Sequence, residues 1–315
     1  MVPIYYGGKQ ISSLYFGGKK IASAWYGGKC VYRLLTFLTT PVQIWQWAAP
    51  HSVSSVAVDS QFNVYVGDDF YYVTKLDSTG KQVWQWYAPN TVYSVAVDSQ
   101  FNVYAGDGSN NVTKLDSTGN QVWQWKASNL VHSVAVDSKF NIYVGDSSSY
   151  VTKLDSTGKQ VWQWKAPSTV SSVAVDSQNN IYAGDYSHDV TKLDNNGKQV
   201  WQWKASNLVH SVAVDSKFNI YVGDSSSYVT KLDNNGKQLW QWKAPNTVNS
   251  IAVDSQFNVY AGDGSNNVTK LDSNGKQVWQ WKAPSLVHSV AVDNQFNIYV
   301  GDGSSYVTKL QTAKQ

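Results

Sequence analysis

The sequence predicts an all-β chain: a seven-bladed β-propeller closed by pairing of its N-terminal Trp strand with its three C-terminal strands, preceded by a small segment of β-hairpin repeats. Three observations carry this. Trp-Gln-Trp occurs seven times, beginning at Trp45, Trp84, Trp123, Trp162, Trp201, Trp240 and Trp279, and every interval is 39 residues. A period near 40 marks one supersecondary unit per repeat, and such units bury their apolar faces only by stacking on neighbours. Each unit holds four short runs, as from Gln121: QVWQWKA, VHSVAVD, NIYVG and YVTKLD. Runs of β-branched and aromatic residues bounded by Gly, Asn, Asp and Ser are strands, and four strands per repeat make a propeller blade. The ends complete the argument. The array opens on a lone Trp strand at 42–47 and stops at Tyr306–Leu310, three strands into the last blade with no Trp strand following. Joining the two leaves no open repeat end.

In chain order, residues 1–33 form a separate repeat system. Tyr5-Tyr6, Tyr15-Phe16 and Trp25-Tyr26 each precede Gly-Gly-Lys at a ten-residue period, the pattern of a hairpin with a two-residue primed turn. Hairpins this short cannot bury a core alone, so the segment is expected to pack on the propeller, on another copy of itself or on a partner. Residues 34–41 read as a partly buried connector and 42–315 as the propeller. Gln121–Asp155 recurs identically as Gln199–Asp233, the mark of an array amplified from one blade.

Composition bounds the function. With 42% hydrophobic and 14% aromatic residues in 315, the chain can bury a large core. The net charge is only +3, the lysines recur at fixed places in each repeat, Glu is absent and Arg33 is the single arginine. That leaves no basic stripe of the kind nucleic acid needs. The lone Cys30 excludes an intramolecular disulfide. The N-terminus has no apolar signal core and no stretch is long enough to span a bilayer. The expectation is a chain made in a cytoplasm, outside the usual secretory route and without membrane insertion.

Two resemblances follow from these residues. Ser133–Asp146 (SVAVDSKFNIYVGD) with Val151–Lys159 (VTKLDSTGK) resembles the NHL repeat and related bacterial propeller repeats. The Gly-Lys-Gln-Val-Trp segment is similar to the tryptophan strand of quinoprotein-type repeats. The resemblance spans residues 42–310 and implies the fold, whereas propellers of these kinds serve many tasks. Where the NHL pattern has Gly in its first turn, this chain has Phe62, Phe101, Phe140, Phe218, Phe257 and Phe296, with Asn179 in the fourth blade. Phe is costly at positive φ. The expectation is therefore that the turn differs from the family's, or moves its special residue to the following Asn. Separately, the aromatic-Gly-Gly-Lys repeats resemble short hairpin repeats at the N-termini of bacteriophage tail and minor structural proteins, which implies attachment to a virion through residues 1–33.

Catalysis is not expected. The quinoprotein dehydrogenases that share the Trp strand have, as that resemblance implies, eight blades and a metal-bound cofactor held by acidic and Arg residues. Here there are seven blades, no Glu, and an Arg only outside the propeller, so no cofactor is expected. A catalytic site needs unlike groups in unlike environments. In a near-symmetric ring it would show as a blade that breaks the pattern. Blades one and four do so, at Asp68-Asp-Phe-Tyr-Tyr72 and Asp185-Tyr-Ser-His-Asp189. His188 beside Asp189 reads as an acid–base pair or, preferably, as a polar exposed loop. His132, His210 and His288 share one position in alternate blades, but ligands of one metal must approach within about 2.0–2.2 Å. Residues spread around a seven-bladed opening do not converge so closely, and no metal is expected. The Gly-Asp pairs suggest calcium or, more commonly, a strand-end turn closed by Asp. The fourteen Trp of the Trp-Gln-Trp strands read as packing between blades.

Differences among repeats carry the functional signal. Strand direction alternates, so the connection entering each first strand and the one between second and third strands open on one face of the ring. The first set reads Ser54, Tyr93, His132, Ser171, His210, Asn249 and His288. The loops add Phe70, Tyr71, Tyr72, Tyr150, Tyr186, His188, Tyr228 and Tyr306 as candidate ligand-binding residues. Relaxed constraint on solvent loops also produces variation. The kind of variation favours a site, because Tyr, Phe, His, Asn and Ser offer rigid aromatic area and adaptable hydrogen bonds.

The reading is a non-enzymatic virion protein, tail-associated or receptor-binding, that presents this face to a host-surface glycan or protein. It would meet other virion proteins, or its own copies, through Tyr5, Tyr6, Tyr15, Phe16, Trp25 and Tyr26. The alternative is a bacterial propeller lectin or protein-interaction scaffold, in the cytoplasm or at the cell surface, with no viral link. A lyase- or hydrolase-type propeller stands third.

Overall fold

The computed structural model describes residues 41–312 and, before them, the backbone of six short strands: Tyr5–Tyr6, Lys9–Gln10, Tyr15–Phe16, Lys19–Lys20, Ser23–Tyr26 and Lys29–Arg33. These pair antiparallel in succession, with Tyr5 opposite Gln10, Tyr15 opposite Lys20 and Ser23 opposite Arg33. The Gly-Gly turns and connector residues 34–40 lie outside the described residues, as do the side chains of residues 1–33, to which the attachment role is assigned.

Every regular element described is a strand, and seven four-stranded antiparallel sheets follow one another. In the first blade the order is Val53–Val58, Val64–Asp68, Tyr72–Leu76 and Gln82–Tyr87. The first strands of neighbouring blades touch all the way round, Val287–Val292 of the seventh meeting Val53–Val58 of the first, so they form the wall of the central channel. The seventh blade takes its outermost strand from the other end of the chain. Val42–Ala48 pairs with Tyr306–Gln311, setting Trp47 opposite Val307 and Trp45 opposite Lys309. The expected closure is the observed one.

A ring of serine hydroxyls joins the blades at the channel wall. Ser55 Oγ accepts from Val95 N–H, Ser94 from Val134 and Ser133 from Val173, each at 3.0 Å. Ser172, Ser211, Ser250 and Ser289 repeat the bond to Val212, Ile251, Val290 and Val56. Small hydroxyls suit this place, because a first strand that approaches its neighbour closely must still satisfy that neighbour's half-buried amide.

Between blades lies a layered core. Tyr65 and its equivalents through Tyr299 are fully buried, and each phenol donates to the carboxylate that opens the preceding turn, as Tyr143 does to Asp137 at 2.9 Å. Burial and that carboxylate push the tyrosine pKa values well up. The first Trp of each motif packs on this Tyr, Trp162 on Tyr143 at 6.2 Å between centroids. Its indole N–H then reaches into the next blade, where Trp162 donates to Asn195 O at 3.0 Å. Trp is therefore an inter-blade residue, as its recurrence suggests. Trp279 differs. Its nearly buried indole N–H has no partner among the described residues. The turn that would supply a carbonyl is missing there, because the seventh blade's outermost strand comes from the N-terminal side.

All three hairpin turns of a blade share one design, Asp at the first position and a left-handed residue at the fourth. In the third blade these are Asp137 with Phe140 (φ 64), Asp146 with Ser149 (φ 66) and Asp155 with Gly158 (φ 86). The expectation that Phe avoids positive φ is thus overturned. Six Phe and Asn179 hold φ between 64 and 67. The reason is the preceding Asp. Asp137 O accepts from Phe140 N–H, its Oδ1 from the amides of Lys139 and Asn141, and its Oδ2 from Asn141 Nδ2 and Tyr143 Oη. Four donors on one buried carboxylate over-determine the turn and outweigh a left-handed cost of roughly 1–2 kcal/mol. Gly is required only in the third turn, where a Cβ on Gly158 would lie 2.9 Å from Trp123 Cδ2.

Candidate functional site

The first two strands of every blade are out of register at one place. In blade one Val53 faces Asp68 and Ser55 faces Gly67, so Ser54 is the extra residue of a β-bulge. The same bulge recurs in the other six blades, at Tyr93, His132, Ser171, His210, Asn249 and His288. A bulge frees one side chain from the ladder and re-aims it. These are the variable first-strand positions, and all seven line one cavity of about 310 Å³ at the mouth of the channel, with Asp69 and Tyr186 contributed by the loops after the second strands. The two variable sets therefore do open on one face.

Within the mouth the side chains are held. His132 Nε2 shares a hydrogen bond with Ser147 Oγ at 2.8 Å, and His210 Nε2 with Ser225 Oγ at 2.7 Å. Asn249 Nδ2 donates to Val287 O at 3.0 Å, and the Ser171 hydroxyl donates to Val209 O. Tyr93, His132, Tyr186 and His210 form an aromatic arc with successive centroid separations of 6.0, 6.2 and 6.1 Å. Burial lowers the pKa of His132, His210 and His288, so all three are neutral at pH 7. Burial likewise raises the Tyr186 pKa.

Six of the sequence-derived candidates thus meet in the mouth: Tyr93, His132, Tyr186, His210, Asn249 and His288. The others do not line it. Phe70, Tyr71 and Tyr72 join two residues that sequence reasoning passed over, His51 and Tyr87, in an aromatic cluster on the loop side of blade one. His51 stacks on Phe70 at 3.9 Å and Phe70 on Tyr71 at 5.5 Å. Tyr87 meets Tyr71 edge-on at 5.9 Å and Tyr72 at 5.3 Å. Phe70 is 48% and Tyr87 57% exposed, which leaves apolar ring area in solvent. The signal for Tyr87 was visible, since it stands where five other blades have Lys after Trp-Gln-Trp. Tyr150 and Tyr228 are half-buried under Lys165 and Lys243, each 4.2 Å from ring centroid to Nζ. Tyr306 pairs with Ala48 at the closure strand.

His188 occupies the left-handed position of its turn, at φ 71. Asp189 is not in an exposed loop, as expected from the sequence, but is buried and ion-paired to Lys204 at 3.2 Å. It takes the third-strand place that Asn111 and Asn267 fill in blades two and six, and the Lys204 ammonium compensates the charge.

Asp69, Ser54 and Ser171 complete the mouth. Asp69 could have been found by aligning the loops: the equivalent residues are Gly108, Ser147, Tyr186, Ser225, Gly264 and Gly303, so this carboxylate occurs once in seven.

The donor set does not suit a metal-bound quinone. No group of three His, Cys, Asp or Glu among the described residues could hold a metal ion, and the propeller contains neither Arg nor Glu to clamp an acidic cofactor. No helix among the described residues is long and apolar enough to cross a membrane.

No protein of curated function matches the chain. A family model does, over residues 39–187 and again over 147–307, in which the repeats are of the PQQ-like kind. The two matches together span the propeller from its connector to its last strand. They agree with the quinoprotein-type look of the Trp strand, and the chain belongs to the family described as outer membrane protein assembly factor BamB.

Proposed function

We propose that this protein is a non-enzymatic recognition propeller that binds a surface glycan or protein at the mouth of its channel. One observation carries the reading: seven bulge positions that differ from blade to blade converge on a single polar and aromatic cavity. A stacking device alone would tolerate seven copies of one small residue there. Instead the ring presents Tyr, His, Asn and Ser at the one place where side chains are released from the ladder. The cavity is at the small end of the range for ligand sites, roughly 300–1,000 Å³, and suits one or two sugar rings or a few side chains. The three histidines are neutral, and His132 and His210 are already hydrogen-bonded, which suits orientation of a ligand more than proton transfer.

The placement on a bacteriophage particle rests on the N-terminal repeats, which resemble those of tail and minor structural proteins. In that setting residues 1–33 attach the chain and the mouth faces the host. The family match favours a second reading, a bacterial protein-interaction scaffold, since the family's name describes an assembly factor. Both make the mouth face the contact surface.

The test is the double variant Tyr93→Ser/Tyr186→Ser, assayed for binding to a panel of bacterial cells and to a glycan array, with circular dichroism to monitor the fold. A folded variant that has lost binding supports the mouth as the reader. Unchanged binding refutes it.

A further inference from the structure

We propose that the mouth is a receptor for an ammonium group, so that its ligand is a small polar molecule or chain end bearing a positively charged amine. This rests on the reading of the mouth as the recognition site and names the chemistry it would accept.

Charge complementarity points there. Asp69 is the one carboxylate lining the mouth, and no Lys or Arg lines it. It is exposed, and its Oδ1 accepts the Ser54 hydroxyl, which orients the carboxylate and leaves lone pairs for a charged donor. Asp69 and Tyr186 occupy equivalent loop positions in blades one and four, nearly opposite one another in a ring of seven. Tyr93 and Tyr186 supply aromatic faces, and a cation over a Tyr face is attracted by the ring quadrupole. His132, His210 and His288 add neutral nitrogens and no competing positive charge.

The other charges on this face do not oppose the assignment. The seven carboxylates at the loop bases, from Asp68 to Asp302, are buried below the mouth and bring no positive charge to it. Lys126, Lys165, Lys204, Lys243 and Lys282 stand at the ends of the outermost strands, each bonded to a loop carbonyl, and none lines the cavity. A neutral sugar would leave Asp69 without a charged partner, and an acidic one would be repelled by it.

Amino sugars and lysine side chains carry an ammonium with N–H donors for Asp69, and choline-type headgroups carry a quaternary one that only the charge and the aromatic faces would hold, so the experiment separates them. The full chain is titrated calorimetrically with glucosamine, choline and Nα-acetyl-lysine amide, and with glucose and glucuronate as neutral and acidic controls. At least one amine is expected to bind saturably, one per chain, about tenfold or more tighter than both controls. The isosteric Asp69→Asn variant should bring that amine within about twofold of glucose. Absence of amine binding, equal binding of glucosamine and glucose, or an amine preference that survives Asp69→Asn overturns the proposal. Tyr186→Ser in the cell-binding assay keeps the two readings apart: if it abolishes cell binding while no amine is preferred, the mouth stands as the reader and the ammonium assignment falls.

Discussion

Ser289 Oγ accepts a hydrogen bond from Val56 N–H at 3.0 Å across the seam where the last blade meets the first. Ser55 makes the same bond to Val95 at 3.0 Å between blades one and two. The seam thus repeats an ordinary joint although its partners are 233 residues apart in sequence. Closing so long a loop costs little more than closing a shorter one, because the entropy grows only as the logarithm of length. The Trp strand at 42–48 secures the closure, with Trp45 reaching Ser78 O in blade one at 3.2 Å.

Deletion of residues 42–47 should therefore expose Tyr306–Gln311 as an unpaired edge and cause aggregation or a marked fall in Tm. Ser289→Ala is the milder probe. It should cost about 1 kcal/mol in urea denaturation by leaving the Val56 amide without its acceptor. A truncated chain as soluble and stable as the full one would refute this closure.

The left-handed positions give a second prediction with opposite signs at two sites. Phe140→Asn should be neutral or stabilising by up to about 1 kcal/mol, since Asn tolerates positive φ and already fills the equivalent Asn179. Gly158→Ala should destabilise by about 2 kcal/mol or more, because the backbone is strained for Ala and the methyl meets the Trp123 ring. Urea midpoints of the two variants decide it. Equal effects would mean that the Asp137 network does not fix the turn.

Acid should weaken the fold through the mouth histidines. Burial places the folded-state pKa of His132, His210 and His288 below that of the unfolded chain, about 6.5. As pH falls through that value the unfolded state takes up protons first, so stability declines with acid and levels off below the folded pKa values. The buried loop carboxylates such as Asp146 are shifted up by burial and act in the opposite sense at lower pH. The comparison that isolates the histidines is the urea midpoint between pH 7 and 5 for the wild type against His132→Gln/His210→Gln/His288→Gln. The variant should show the shallower decline, and parallel curves would contradict the assignment.

Much of the architecture was legible because each blade repeats the same four strand-like runs at a 39-residue interval, so blade number, strand order and closure followed from counting. The face shared by Tyr93 and Tyr186 was legible from strand alternation alone. What was not legible depends on register and on networks. A two-versus-one pairing at Ser54 leaves no mark in composition, yet it decides which first-strand residues point into the mouth, while Tyr150 lies under Lys165 because the third strand pairs it with that lysine. The left-handed Phe was misread because a residue's own preference was weighed without the four donors that converge on Asp137. The burial of Asp189 was missed because its partner Lys204 follows fifteen residues later, on the neighbouring strand.

Residues 1–33 predict assembly. The full chain should self-associate or bind a larger particle, while residues 40–315 should be monomeric, as read by light scattering. A monomeric full chain would remove the attachment role assigned to Tyr5, Tyr6, Tyr15, Phe16, Trp25 and Tyr26.

The aromatic cluster on blade one separates two ways in which this face could read a partner. If the ligand is confined to the mouth, Tyr93→Ser/Tyr186→Ser should abolish binding and Phe70→Ser/Tyr87→Ser should not. If a longer chain leaves the mouth over blade one, both pairs should weaken binding by tenfold or more, since aromatic anchors dominate contact energy. Stability should change little for Phe70 and Tyr87, which are 48% and 57% exposed, and for Tyr93, at 37%. Tyr186 is more buried, so its folding must be checked separately. The control lies on the opposite face. Phe140 and Phe257 sit in the first turns, half-buried, with Lys217 Nζ 4.1 Å from the Phe257 centroid. Their replacement by Asn, which keeps the turn, should leave ligand binding intact and affect only packing. Loss of ligand binding in folded Phe variants, with both Tyr and Phe70/Tyr87 variants unaffected, would show that the recognition face is the other one.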